Sequence, residues 1–222
     1  MPGLPPAGGV ALADLAGLMG WPKPSERQRL QPARPTLDLP LCDALVWRPA
    51  IRSRNAVAFH TLRSWRAEVK PAAVAALKRA KLNLDPGLIA LMVEELASSI
   101  EKTMAPGGGL SIVPVAPGHS QTYEANLAAA VARSVAGKLH CPLVEAFEAR
   151  PVKGVSHPKE FRNLPPLRWR VRPTGPVLLI DDVATSGWHI EEALNLLRQQ
   201  AAPVTAMAWL GGDIRTDRSS AD

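Results

Sequence analysis

Cysteine is close to absent from this chain, with two in 222 residues. Cys42 and Cys141 stand far apart and form neither a CxxC pair nor a Cys/His cluster, so neither a zinc site nor a disulfide framework is expected to hold the fold. His60, His119 and His140 have no spacing that suggests metal ligation either. Long apolar runs are missing as well. None approaches the roughly 20 residues that cross a bilayer, and the opening MPGLPPAGGVALADLAGLMGW has no basic segment ahead of its mild apolar stretch. Neither a membrane partner nor a secretory leader is expected, and a reducing, cytoplasmic location is the simplest reading. Acidic charge is scarce in the first third: residues 1–81 carry 13 Lys and Arg against 5 Asp and Glu, which leaves −2 for residues 82–222 out of a total of +6. That asymmetry suits a solvated basic face, a nucleic-acid surface, or attraction of an anionic ligand.

What is present is enough chain to bury one sizeable core. Residues 1–40 are rich in Pro, Gly and Ala and include the basic stretch WPKPSERQRLQPARP, which reads as a poorly ordered arm. The folded domain is expected over 41–222. Within 41–70, ALVWR and AVAFHTLRSW read as short strands of a small N-terminal cap or hood, and Pro71 to Lys81 as a short helix. Asp85-Pro86 starts a longer helix with Leu88, Leu91, Met92, Leu96 and Ile100 on one face, until Ala-Pro-Gly-Gly-Gly stops it.

From there strands and helices alternate. SIVPV (111–115) reads as a strand, APGHSQ as a turn, and Leu127, Val131, Val135 and Leu139 as one face of a helix. CPLVEAF (141–147) reads as a further strand, followed by the polar, basic loop RPVKGVSHPKEFRN. PVLLIDD is a buried strand, Ile190, Ala193, Leu194 and Leu197 line a helix, and VTAMAWL closes the pattern. The fold class is therefore α/β, a parallel twisted sheet flanked by helices and joined by right-handed crossovers.

One segment points to chemistry. In VLLIDDVATSGWH, an apolar strand ends in Asp181 and Asp182 and passes through a small-residue turn into a helix. The acids would lie at the carboxyl edge of the sheet, where open α/β folds bind ligands. The turn presents backbone N–H groups at a helix N-terminus, which favour phosphate through unsatisfied donors and the helix dipole. Gly187 permits close backbone approach, and the hydroxyls of Thr185 and Ser186 can donate to phosphate oxygens. A plain strand–turn–helix with a capping Ser or Thr is the alternative, although a core strand seldom ends in adjacent acids without a partner.

This segment resembles the signature of type I phosphoribosyltransferases, which binds phosphoribosyl pyrophosphate (PRPP): apolar strand, two acids, then a T-[ST]-G turn. The resemblance implies that Asp181 and Asp182 face the ribose hydroxyls, directly or through Mg2+, as catalytic and metal-binding residues. It implies that Ala184, Thr185, Ser186, Gly187 and Trp188 wrap the 5′-phosphate, with His189 where the family commonly has Thr. It also implies a pyrophosphate-binding turn after an earlier strand, which falls on Ala116, Pro117, Gly118, His119 and Ser120. An ordinary strand-to-helix connection reads the same at that place.

The basic loop ahead of the signature strand is similar to that of the ComF-like branch, over roughly residues 70–212, without that branch's N-terminal zinc finger. By this likeness Lys153, His157, Lys159 and Arg162 would neutralise departing pyrophosphate. Trp47, Trp65, Trp169 and Trp209 suit either core packing or stacking on a base. The function implied is transfer of phosphoribose from PRPP to a nucleobase-like acceptor with release of pyrophosphate, with Mg2+ as cofactor and a homodimer among the expected assemblies. A regulator that senses PRPP or nucleotides, or a nucleic-acid-binding protein on the same fold, is the other class, favoured by the basic first 81 residues.

Overall fold

The computed structural model describes residues 41, 44–66, 70–104, 109–118, 122–150, 165–200 and 202–214. The arm expected over 1–40 lies outside them. The chain begins with a hairpin, β1 (Leu45–Arg54) and β2 (Val57–Arg66), turned at Asn55 with φ +49°. Asparagine is among the few non-glycine residues that adopt such a conformation readily. Helix α1 (Lys70–Asn83) and helix α2 (Pro86–Thr103) follow. The start of α2 is set as expected, with Pro86 in its first turn and the Asp85 carboxylate accepting a 2.8 Å hydrogen bond from the Leu88 amide.

The remaining elements are β3 (Ser111–Pro114), α3 (Leu127–Lys138), β4 (Val177–Ala184), α4 (Trp188–Leu197) and β5 (Val204–Ile214). The five strands form one sheet in the order β1-β2-β5-β4-β3. Pairings β2 with β5, β5 with β4 and β4 with β3 are parallel, and β1 runs antiparallel at the edge. The sheet is thus mixed, and it is covered on both faces. Leu62, Trp65, Leu178, Ile180, Met207 and Trp209 face a core shared with α1, α2 and α3. Phe59, Val113, Leu179, Ala206 and Ala208 face a second core built on Ile190, Ala193 and Leu194 of α4.

Two expectations are corrected. The strands foreseen between 43 and 66 are continuous with the main sheet, with β2 lying against β5. The reason is burial: eight of the ten residues of β2 are buried, so both of its faces need covering. Residues 141–147 are not a strand. Their amides are divided between two neighbours: Val144 donates to Ile112 O at 2.9 Å on the edge of β3, while Phe147 is bridged to Trp169 and Arg170 donates to Ala146 O at 2.8 Å. Of the tryptophans, Trp65 and Trp209 are core, and Trp169 stacks on Phe147 at 5.7 Å.

One charged cluster lies within the first core. Glu95 of α2 accepts from Arg63 Nε and Trp209 Nε1, both at 2.7 Å, and pairs again with Arg63 Nη2. The Arg63 guanidinium also lies over the rings of Trp47 and Trp209. Such a pair tolerates burial because both charges are hydrogen-bonded.

Candidate functional site

The site is built at the carboxyl end of β4. Parallel pairing with β3 and β5 puts Asp181 opposite Ala208 and Ala184 opposite Gly211, so the acids are held in the middle of the sheet. The strand runs on through them to Ala184, two residues further than the stretch PVLLIDD expected from the sequence. Asp181 and Asp182 are 8% and 5% exposed, which is low for carboxylates. Asp181 Oδ1 accepts the Asp182 amide at 2.8 Å. Lys81, near the end of α1, reaches over with its ammonium 2.7 Å from Asp182 Oδ2 and 3.0 Å from Oδ1. Burial, and then the charge of Asp182, push the Asp181 carboxyl up to about 8, with the Lys81 charge opposing. Burial alone would lower Lys81, but the charge and hydrogen bond of Asp182, with Asp181 behind, outweigh it and hold the ammonium above its ordinary range.

Beyond Ala184 the chain turns through Thr185 and Ser186 into α4. Gly187 sits at the N-cap with φ +70°, ψ 7°, the left-handed region. A β-carbon there would also lie 2.9 Å from the Phe59 ring of β2, so glycine is required both by conformation and by space. The Trp188 amide points back to Ser186 Oγ at 3.4 Å. Gly187 offers no side chain to cap the first-turn amides, and the start of α4 carries the positive end of the helix dipole, which suits an anion.

The tip of the β1–β2 hairpin fastens this turn. Arg54 Nη1 donates to Ser186 O at 3.2 Å, and Arg54 Nε pairs with Glu191 Oε2 at 2.6 Å. Asn55 donates to the other oxygen of Glu191. Glu191 lies in the first turn of α4, and its negative charge would oppose a bound phosphate unless Arg54 neutralised it. Next to the site, Arg52 of β1 crosses β2 to donate to Gly211 O of β5 at 2.8 Å. A β-carbon at Gly211 would lie 2.4 Å from Thr61 Cγ2, so the Thr61 and Arg52 side chains leave room there only for glycine.

The earlier turn is brought to the same edge. Val115 donates to Ile180 O at 2.9 Å, and Ala116, Pro117 and Gly118 follow it. His119 and Ser120 lie outside the described residues, as do Lys153, His157, Lys159 and Arg162. Arg150, at the start of the basic loop, is described. Its amide donates to Pro117 O at 3.0 Å and its residue bridges Gly118. Its buried side chain donates to Pro165 O at 3.1 Å, pairs with Glu192 of α4 at 2.8 Å and lies over the Trp188 ring.

Thus Asp181, Asp182 and the turn 184–189 are contiguous on one sheet edge, and Ala116–Gly118 is joined to α4 through Arg150. Sequence reasoning missed Lys81, Arg54 and Arg150. Arg150 was within reach, as the first residue of a loop already singled out. Lys81 and Arg54 carry no local signal, because their partners lie 101 and more residues away. As metal ligands, Asp181 and Asp182 are of the right chemistry, hard oxygen donors. With Lys81 across both oxygens of Asp182, and no cluster of three His, Cys, Asp or Glu among the described residues, the pair does not fit an ion held between them.

No protein-family model and no curated protein matches the chain. Among solved structures it is similar to orotate phosphoribosyltransferase from Aeropyrum pernix, at 18% identity over 76% of each chain with a TM-score of 0.33. It is similar also to adenine phosphoribosyltransferase from Leishmania donovani, at 15% identity over 77% of this chain and 78% of that one, TM-score 0.40. A purine phosphoribosyltransferase from Pyrococcus horikoshii is similar at 12% identity over 57% of this chain and 88% of its own, TM-score 0.34. Every one of these TM-scores is below 0.5. The described residues form an open α/β protein in which a left-handed glycine turn opens a helix beside a buried acidic pair. No helix among the described residues is long and apolar enough to cross a membrane.

Proposed function

We propose that the chain is a phosphoribosyltransferase that binds PRPP at Asp181–His189 and moves phosphoribose to a nitrogenous base with release of pyrophosphate. The observation that carries this reading is the left-handed Gly187 turn opening α4 directly after a strand that holds Asp181 and Asp182. A 5′-phosphate fits the start of α4, where the helix dipole and the hydroxyls of Thr185 and Ser186 favour it. The acids then sit where a ribose attached to that phosphate would lie, and their oxygens accept hydrogen bonds from its vicinal hydroxyls.

Displacement at ribose C1 passes through an oxocarbenium-like state, in which positive charge grows on the sugar and negative charge on the departing pyrophosphate. The protein's part is electrostatic and positional. The acidic pair orients the sugar through its hydroxyls, and the turn that begins with Ala116, Pro117 and Gly118 is the place for the leaving group. No step is assigned to Mg2+ held by the acidic pair.

Mixing the protein with PRPP and a panel of nucleobases while following pyrophosphate release tests the activity. A ligand-bound structure with the 5′-phosphate away from 184–188 would remove the central claim.

A further inference from the structure

Lys81 has no part in the transfer chemistry above, yet it is the closest charge to the acidic pair. Its ammonium spans both oxygens of Asp182, at 2.7 Å and 3.0 Å, on a carboxylate side chain only 6% exposed. Asp181, for its part, gives Oδ1 to the Asp182 amide. A small divalent cation asks for near-octahedral oxygen ligands at about 2.0–2.1 Å and gives up its waters reluctantly. An ammonium seated on Asp182 denies it that carboxylate. The same ammonium is a pure donor, so it neutralises one acid and still leaves carboxylate lone pairs to accept hydroxyl hydrogens.

We propose that Lys81 is a positioning residue that takes, at Asp182, the place of a divalent cation, so that the acidic pair receives the vicinal diol of a ribose 5-phosphate directly, with no metal ion between the carboxylates. The inference rests on reading this edge as a phosphoribose site, and its experiment separates the two. Mn2+ is titrated into the full chain by electron paramagnetic resonance, for wild type, Lys81→Arg, Lys81→Gln and Lys81→Gln with Asp182→Asn. Ribose 5-phosphate is titrated into the same proteins by calorimetry in excess chelator. Lys81 is a third exposed, so the variants are expected to fold, and Lys81→Met serves as a second neutral variant if Lys81→Gln does not.

The expected result is no Asp182-dependent Mn2+ site in wild type or Lys81→Arg, and a site at least about tenfold tighter in Lys81→Gln that Asp182→Asn abolishes. Ribose 5-phosphate should bind wild type without metal, weaken about tenfold in Lys81→Gln and recover in Lys81→Arg. Wild type that binds Mn2+ through Asp182 as tightly as Lys81→Gln overturns the proposal, as does metal-free sugar phosphate binding that ignores Lys81→Gln. If ribose 5-phosphate binds none of the proteins, the phosphoribose reading fails, and the Mn2+ comparison alone still decides whether Lys81 holds the metal position.

Discussion

Asp181 and Asp182 are neighbours on one strand, yet their surroundings give them different tasks. Asp182 has an ion-pair partner in Lys81, whereas Asp181 is pushed up to about 8 by burial and by the charge beside it. A carboxyl raised from 3.8 binds more protons folded than unfolded between those two values, so its contribution to stability is full below pH 3.8 and is lost as pH rises through about 8. Thermal melts from pH 4 to 9 should therefore show wild type losing stability relative to Asp181→Asn across that window. At pH 8 the variant should be more stable by roughly 1 kcal/mol, or about 2–4 °C. Equal pH slopes would mean that Asp181 ionises freely. Asp182→Asn should go the other way, costing on the order of 1 kcal/mol at neutral pH, because it leaves a partly buried ammonium without its partner.

At the scale of elements, the turn from Ala184 to Trp188 is shaped from outside itself. The Phe59 ring of β2 lies where a side chain at 187 would go, and Arg54 holds both the Ser186 carbonyl and Glu191. Gly187→Ala should cost roughly 1–3 kcal/mol in urea denaturation, from the left-handed backbone together with the ring contact, and should weaken phosphate binding. If the variant matches wild type in both measurements, the turn is not a tight anion cradle. Arg150 plays a comparable role on the far side of α4, tying Pro117 and Pro165 to Glu192. Arg150→Ala should cost about 2–4 kcal/mol, and a double-mutant cycle with Glu192→Ala should return a coupling above about 0.5 kcal/mol. A coupling near zero would reduce the pair to a coincidence of packing.

For the molecule as a whole, Glu95 joins α2 to the middle of the sheet through Arg63 and Trp209. Glu95→Ala would strand a buried guanidinium and an indole N–H, and a loss of about 3–5 kcal/mol in denaturant unfolding is expected; a loss under about 1 kcal/mol would show that water reaches the cluster. Nothing in the sequence announced it, since Glu95 reads as one polar residue in an amphipathic helix. What the sequence by itself determined is local: the β4–α4 junction with its acids and glycine, the Asp85-Pro86 start of α2, and the helical stripes of α2, α3 and α4. These follow from covalent adjacency and from the 3.6- and 2-residue periods of side-chain direction. Only the tertiary structure decided that the first hairpin extends the main sheet, that residues 141–147 divide their amides between two partners, and that Lys81, Arg54 and Arg150 meet the site. A hairpin has the same alternating pattern in a separate cap as in a shared sheet. Its place depends on which surface it can cover, and β2 came to rest on β5, some 147 residues further along. A charged side chain likewise gives no local sign of a distant partner, because the pairing depends on how the elements pack and on the need to neutralise charge that packing removes from water.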